Sequence, residues 1–174
     1  MSFKITWKTH VICFLISAII AMVLRDSASV LVENFIMQDF ILYPTKFIYI
    51  NFYIAILLLL VPIIAIHEAI HGISFIVFGG KVKYGFKGIY AYTMEVSAKP
   101  IQRVKFLIVL LSPVTIISLL SLLLPHWISG MVYFLNLLGS SGDLYMASLL
   151  IRLKSESGII DRKYGFDVVV LDID

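Results

Sequence analysis

The sequence Ile66-His67-Glu68-Ala69-Ile70-His71-Gly72 lies within an apolar stretch that covers residues 47–78. This stretch is longer than the ~20 residues that an α-helix needs to cross the hydrocarbon core of a bilayer, so it predicts a membrane-spanning helix. In a helix, His67 and His71 lie one turn apart on the same face, at a spacing that lets one Zn²⁺ bind both. Ionisable groups at such a depth are costly, which favours a functional explanation for the HExxH motif.

The composition indicates an integral membrane protein. Of the 174 residues, 60% are hydrophobic and the mean hydropathy is +0.99, whereas soluble domains are about 45–50% apolar. The net charge of +3 is small and the basic residues lie between apolar stretches, which argues against a nucleic-acid-binding surface. The single cysteine, Cys13, excludes an intrachain disulfide and a cysteine-based zinc site.

Four apolar segments predict the fold class. They cover residues 9–24, 47–78, 104–124 and 127–151. We expect an all-α polytopic membrane protein, with about four transmembrane helices and a small cytoplasmic β-hairpin, that forms a single domain over residues 1–174. The first segment follows Lys4 and Lys8 and resembles a signal peptide, but no clean cleavage pattern follows it, so we expect a retained helix.

The distribution of Lys and Arg predicts the orientation. With four spans, the N-terminus, the 79–105 loop and the 152–174 tail share one side of the membrane. Nearly all basic residues are in these three regions. The positive-inside rule therefore predicts a multi-pass protein of the cell membrane with both termini in the cytoplasm.

The 79–105 loop contains two candidate strands, residues 81–87 and 90–96, which predict a hairpin. The hairpin is either a plain connector or a sheet edge that accepts an extended substrate strand, and the sequence favours neither. Residues 166–171 predict a third strand that could pair with the hairpin. Residues 27–40 mix apolar residues with Glu33 and Asp39, as expected for a segment in the outer membrane interface.

A catalytic zinc site needs a third protein ligand and one open position. At ~1.5 Å per residue, His67 and His71 lie about 10–17 Å from the cytoplasmic end of their helix. Asp143 lies about 12 Å from the cytoplasmic end of the fourth helix, which runs in the same direction. Asp143 is therefore the favoured third ligand, and Glu95 in the loop is the alternative.

Two further features surround Asp143. Asn136 lies about two helical turns earlier and can share its face, where the amide could hold a substrate backbone or an oxyanion, or bond another helix. The small residues 139–142 would permit close helix approach and would loosen the helix locally.

These residues resemble the site-2-protease-like intramembrane zinc metalloproteases. They are more closely similar to a family of small bacterial membrane proteins described as putative zincin peptidases. The likeness covers roughly residues 66–143 and includes the HExxH motif, residues 78–87, Ser112-Pro113 and residues 136–143. Site-2 proteases carry Asn-Leu-Leu-Pro followed by Leu-Asp-Gly. Here Gly139 replaces the proline, and Gly142-Asp143-Leu144 replaces Leu-Asp-Gly. The resemblance implies zinc at His67, His71 and Asp143, with Glu68 as general base.

The expected function is that of an intramembrane zinc metalloendopeptidase that hydrolyses peptide bonds in or near transmembrane segments. Its partners would be the lipid bilayer and a membrane protein or peptide substrate, with no nucleic acid. The alternative is a membrane protein that binds metal without catalysis, either an inactive homologue or a scaffold.

Overall fold

The computed structural model describes residues 2–37, 44–87, 90–163 and 165–170. Most of the described chain is helical. The helices are α1 (Trp7–Val23), α2 (Arg25–Ile36), α3 (Ile48–Val77), α4 (Arg103–Ser121), α5 (His126–Gly139) and α6 (Ser141–Ile151). The strands are β1 (Ser2–Lys4), β2 (Val82–Lys87), β3 (Tyr90–Glu95), β4 (Ile101–Gln102), β5 (Ser157–Arg162) and β6 (Gly165–Val170).

Two helices, α3 and α4, are each long and apolar enough to cross a membrane. The pairs α1–α2 and α5–α6 also qualify, but they bend by 81° and 52°. The described residues thus contain two candidate spans, or up to four if each bent pair is one span. The chain is a membrane protein by this measure, and the four predicted segments correspond to these elements.

The six helices named above together form what we call the helical layer. Helix α4 lies at its centre and packs against α3, α5 and α6. Its residues Phe106, Val109 and Leu110 are buried with Phe75 of α3 and Leu150 of α6. By contrast, large apolar side chains on the outer faces of α1 and α3 are exposed. Apolar outer faces are what a lipid environment requires of spanning helices.

The interface segment predicted over residues 27–40 corresponds in part to α2, and residues 38–40 lie outside the described part of the chain. Phe35 of α2 is buried with Met131 of α5 and stacks on Trp127 at a centroid distance of 6.1 Å. Helix α2 therefore packs on the end of the helical layer where α5 begins.

The predicted hairpin is present. Strands β2 and β3 pair antiparallel, with Val82 opposite Glu95 and Lys87 opposite Tyr90. The hairpin lies against α3 through Tyr84, since a Cβ added at Gly72 would be 1.9 Å from the Tyr84 hydroxyl. Only glycine at position 72 lets the tyrosine approach the helix so closely.

A second sheet departs from the expected all-α fold. It has four antiparallel strands in the order β1-β6-β5-β4. The tail strand was expected beside the hairpin, and this is wrong, because β6 pairs with β1 and β5. Ile159 and Phe166 of this sheet are buried in the same core as Phe106. Burial against α4 places the tail strands there. The outer strands of the sheet, β1 and β4, have three and two residues and are too short to recognise from sequence.

Candidate metal centre

Three side chains from α3 and α6 converge inside the helical layer. The Nε2 atoms of His67 and His71 lie 3.0 Å and 3.4 Å from Oδ2 of Asp143. One ligand atom from each residue falls within 4.8 Å of the others, so His67, His71 and Asp143 form a group that could hold one metal ion. We call this group the metal triad. Two imidazoles and one carboxylate with space for a fourth ligand match the donors of a catalytic zinc site.

Asp143 reaches the histidines because the chain bends between α5 and α6. Ser140 at the bend is fully buried, and its hydroxyl donates to the Asn136 carbonyl at 2.8 Å. The bend begins a new helix, and Asp143 lies in its first turn. A carboxylate there is favoured by the positive end of the helix dipole.

The glycines beside Asp143 do not serve close packing. A Cβ built at Gly139 or Gly142 meets no atom within 4 Å among the described residues. The expectation that they permit close helix approach is wrong at these two positions. Both glycines line the cavity beside the triad, and glycine weakens a helix locally, which suits a bend.

His67 is oriented by Asn136. Its Nδ1 donates to the Asn136 side-chain oxygen at 3.0 Å, which leaves Nε2 facing Asp143. Asn136 is 1% exposed, and its amide nitrogen is 3.4 Å from the Pro113 carbonyl. The amide therefore bonds two helices inside the protein, and its oxygen determines which nitrogen of His67 is available to a metal.

His71 is oriented by the backbone of α4. Its Nδ1 donates to the Val109 carbonyl at 2.9 Å. In a regular helix that carbonyl would accept the N–H of residue 113, but Pro113 has none. The freed carbonyl accepts His71 and, at 2.8 Å, the Ser112 hydroxyl. Pro113 thus supplies the acceptor that orients a triad histidine, and a histidine that donates through Nδ1 offers Nε2 to a metal.

Glu68 and the triad line the same cavity. The volume of this cavity is about 400 Å³. This volume is within the ~300–1,000 Å³ range of ligand pockets. Strand β3 passes along the cavity, which residues 91–94 also line. The Thr93 hydroxyl donates to the Glu68 carbonyl at 2.9 Å. This bond ties the hairpin to the helical turn that carries the HExxH glutamate.

Glu95 does not join the triad. It is 2% exposed, and its Oε1 accepts the backbone N–H groups of Lys81 and Ser97 at 2.9 Å and 2.8 Å. Burial opposes its ionisation, but these hydrogen bonds hold the pKa of the carboxyl below its usual value. Glu95 closes the base of the hairpin, so between the two carboxylates considered from sequence the structure brings Asp143 to the histidines.

The other histidines contribute differently. His10 lines the cavity from α1, close to Cys13, whereas His126 begins α5 beyond the turn that follows α4. Neither belongs to the metal triad. Sequence analysis missed the roles of Val109, Pro113 and Thr93. The one available signal was Pro113. A proline within a spanning helix leaves the carbonyl four residues earlier, here that of Val109, without its usual N–H donor.

The fold and the triad define a membrane protein with a group of side chains that could hold one metal ion. A family model described as "Putative zincin peptidase" matches residues 59–157, more than half of the chain, and the protein belongs to that family. The matched region includes all of the triad and the hairpin. No match was found among curated proteins or solved structures.

Proposed function

We propose that this protein is an intramembrane zinc metalloendopeptidase that cleaves transmembrane or membrane-adjacent segments. One observation carries the proposal: the two histidines and Asp143 meet within apolar helices at a cavity that Glu68 also lines. Ion-binding and proton-transferring groups rarely lie among spanning helices without a functional reason. Membership of the zincin peptidase family supports the same activity.

In the proposed reaction His67, His71 and Asp143 would hold a zinc ion. When bound there, the ion would supply Lewis acidity toward a peptide carbonyl and a water molecule. Glu68 takes the proton of the attacking water and passes it to the leaving amine. Asn136, considered from sequence as a substrate or oxyanion group, is better placed to position His67, because its oxygen is already bonded to that ring.

The proposed orientation puts both termini and the hairpin in the cytoplasm. The four-stranded sheet supports it, because β1, β4 and the tail strands come from the three regions that the basic residues assign to one side. Those regions meet in a single sheet, as they must if they share one side. A site toward that side would favour cleavage near the cytoplasmic ends of substrate helices.

The substrate is proposed to bind as an extended strand along β3. Within the described residues β3 pairs only with β2, which leaves its other edge unpaired. That strand lines the cavity next to Glu68. A helical peptide bond hides its carbonyl, so a substrate must unwind, and an unpaired sheet edge satisfies the freed backbone groups.

The test is reconstitution of the full-length protein in liposomes with synthetic transmembrane peptides. Wild type is expected to hold one zinc and to cleave. Glu68→Gln is expected to keep the zinc but to lose cleavage by about 10²–10⁴-fold, the usual contribution of a general base. Glu156→Gln, an exposed glutamate of the tail, is the matched control and should behave as wild type.

Two outcomes would contradict the proposal. Purified protein without stoichiometric zinc would refute the metal site itself. Zinc-loaded protein that leaves every tested peptide intact would favour the non-catalytic metal-binding alternative.

A further inference from the structure

The unpaired edge of β3 has a defined end. In an antiparallel pair, residues alternate between those that bond the partner strand and those whose backbone groups point away from it. Val96 donates to the Lys81 carbonyl at 2.7 Å, so this pair is of the bonded type. Bonded and non-bonded pairs alternate from there along the register of β2 and β3. Ala91, Thr93 and Glu95 are therefore at non-bonded positions, and their backbone N–H and C=O groups point to the free edge.

The last of these positions is already occupied. The Glu95 N–H donates to Oδ2 of Asp161 at 2.8 Å. Asp161 belongs to β5 of the other sheet, where it lies opposite Phe166, and it lines the same cavity as the triad. A side chain from the second sheet therefore takes the donor that an added strand would need.

The edge that remains is short and its position is fixed. Ala91 and Thr93 each offer one N–H and one C=O, which makes four backbone groups. The Thr93 hydroxyl is bonded to the Glu68 carbonyl, so these groups keep a constant offset from the HExxH glutamate. At the other end Glu95 is held by its bonds to Lys81 and Ser97.

We propose that Asp161 is a specificity-determining residue that ends the substrate-binding edge of β3. An extended substrate pairs with the backbone of Ala91 and Thr93. It cannot pair with Glu95, because the Glu95 N–H is already donated to Asp161. The length of the paired segment, and hence the register of the scissile bond relative to Glu68, is set by this carboxylate. The inference rests on the proposed function for its substrate, but the blocked edge position is a property of the free protein.

The test compares zinc-loaded full-length wild type with two variants. Asp161→Ala frees the Glu95 N–H, whereas Asp161→Asn keeps an oxygen that can accept it. Each protein, in liposomes, cleaves a series of synthetic transmembrane peptides that are N-methylated at one backbone nitrogen at a time. N-methylation removes one donor and should lower cleavage about three- to tenfold where that nitrogen pairs with β3.

Wild type is expected to be sensitive at the alternate substrate positions that face Ala91 and Thr93. Asp161→Ala should become sensitive at one further position, two residues along toward Glu95, and should shift or broaden its cleavage sites. Asp161→Asn should keep the wild-type pattern. Asp167→Ala, which removes a carboxylate from the neighbouring strand β6, is the control and should also keep it.

Hydrogen exchange provides a readout that needs no catalysis. The Glu95 amide should exchange faster in Asp161→Ala than in wild type or Asp161→Asn. An uncleaved peptide added to the Glu68→Gln protein should protect the amides of Ala91 and Thr93 from exchange. In the double variant Glu68→Gln/Asp161→Ala, the peptide should also protect the Glu95 amide.

The proposal is overturned if Asp161→Ala shows the wild-type pattern of sensitive positions, or if its Glu95 amide exchanges as in wild type. If wild type cleaves no peptide, the proposed function fails. The exchange of Glu95, Ala91 and Thr93 then decides the role of Asp161 separately.

Discussion

Three carboxylates of the chain, partly or fully buried, lie in two different surroundings. Asp143 lies between two imidazole nitrogens in the helical layer, where a cation would be bound by three donors. Asp161 and Glu95 lie together where β5 meets the hairpin, and Asp161 accepts the backbone N–H groups of Glu95 and Arg162. These acidic side chains thus have different partners: Asp143 joins a group that could hold a metal ion, whereas Asp161 and Glu95 accept backbone N–H groups.

The strongest test of this difference is to remove each carboxylate in turn. Asp143→Ala should lose zinc and all cleavage, with an affinity loss beyond the ~10–100-fold typical of an outer-shell partner. Glu95→Gln should retain stoichiometric zinc, because the Glu95 side chain accepts N–H groups at the base of the hairpin and not at the triad. Metal content measured on the purified proteins decides it. Loss of zinc in Glu95→Gln with retention in Asp143→Ala would reverse the assignment.

A smaller effect is expected from the support of His71. Pro113→Ala restores an N–H that competes for the Val109 carbonyl, so zinc affinity should fall by roughly tenfold, in the range of outer-shell changes. Ser112→Ala is the matched control, since it removes the other donor to that carbonyl and leaves His71 bonded.

Cobalt substitution gives a spectroscopic measure of ligand geometry for this pair of variants. The Pro113→Ala spectrum should change and the Ser112→Ala spectrum should not. Identical cobalt affinity and spectra in wild type and Pro113→Ala would contradict the role assigned to the proline.

The smallest expected effect concerns pH. Burial raises the pKa of Asp161 from its ordinary value of 3.8 to about 7, and the nearby Glu95 carboxylate adds to this, although two backbone N–H groups act in the other direction. The folded protein therefore binds this proton more tightly than the unfolded chain. Stability should fall as the pH rises from about 4 to about 7 and level off above that.

Thermal unfolding in detergent at pH 5 and pH 8 measures this effect. Asp161→Asn cannot ionise, so its loss of melting temperature between the two pH values should be smaller than that of wild type by several degrees. An equal loss in both proteins would show that Asp161 is ionised throughout the range.

Much of the fold follows from local patterns. The lengths of apolar segments predicted α3 and α4 to within a few residues at each end, and alternation with glycine at the turn predicted β2 and β3. The bends within the helix pairs α1–α2 and α5–α6 could not be predicted from the sequence. Residues 127–151 read as one apolar segment, but the structure divides them at Ser140. Hydropathy is insensitive to a bend that keeps the segment apolar.

Some features of the candidate site could likewise be predicted from the sequence, and others could not. His67 and His71 could be paired from sequence because their spacing matches one helical turn. The depth estimate favoured Asp143 as their partner, and in the structure its Oδ2 lies 3.0 Å and 3.4 Å from their Nε2 atoms. The separate expectation that small residues around Asp143 permit close helix approach fails at Gly139 and Gly142, where an added Cβ would meet open space. The backbone acceptor at Val109 is indicated in the sequence only by Pro113, four residues later.

By itself the sequence determined a membrane protein with an HExxH face on a long helix, because helix period and hydrophobic length are local properties of the chain. Only the tertiary structure decided that Asp143 lies against the two histidines, that Glu95 bonds within the hairpin, and that Asp161 accepts the Glu95 N–H. Those contacts join residues 76, 14 and 66 positions apart. They depend on how the α5–α6 bend and the second sheet pack against α3 and α4, which no local propensity encodes.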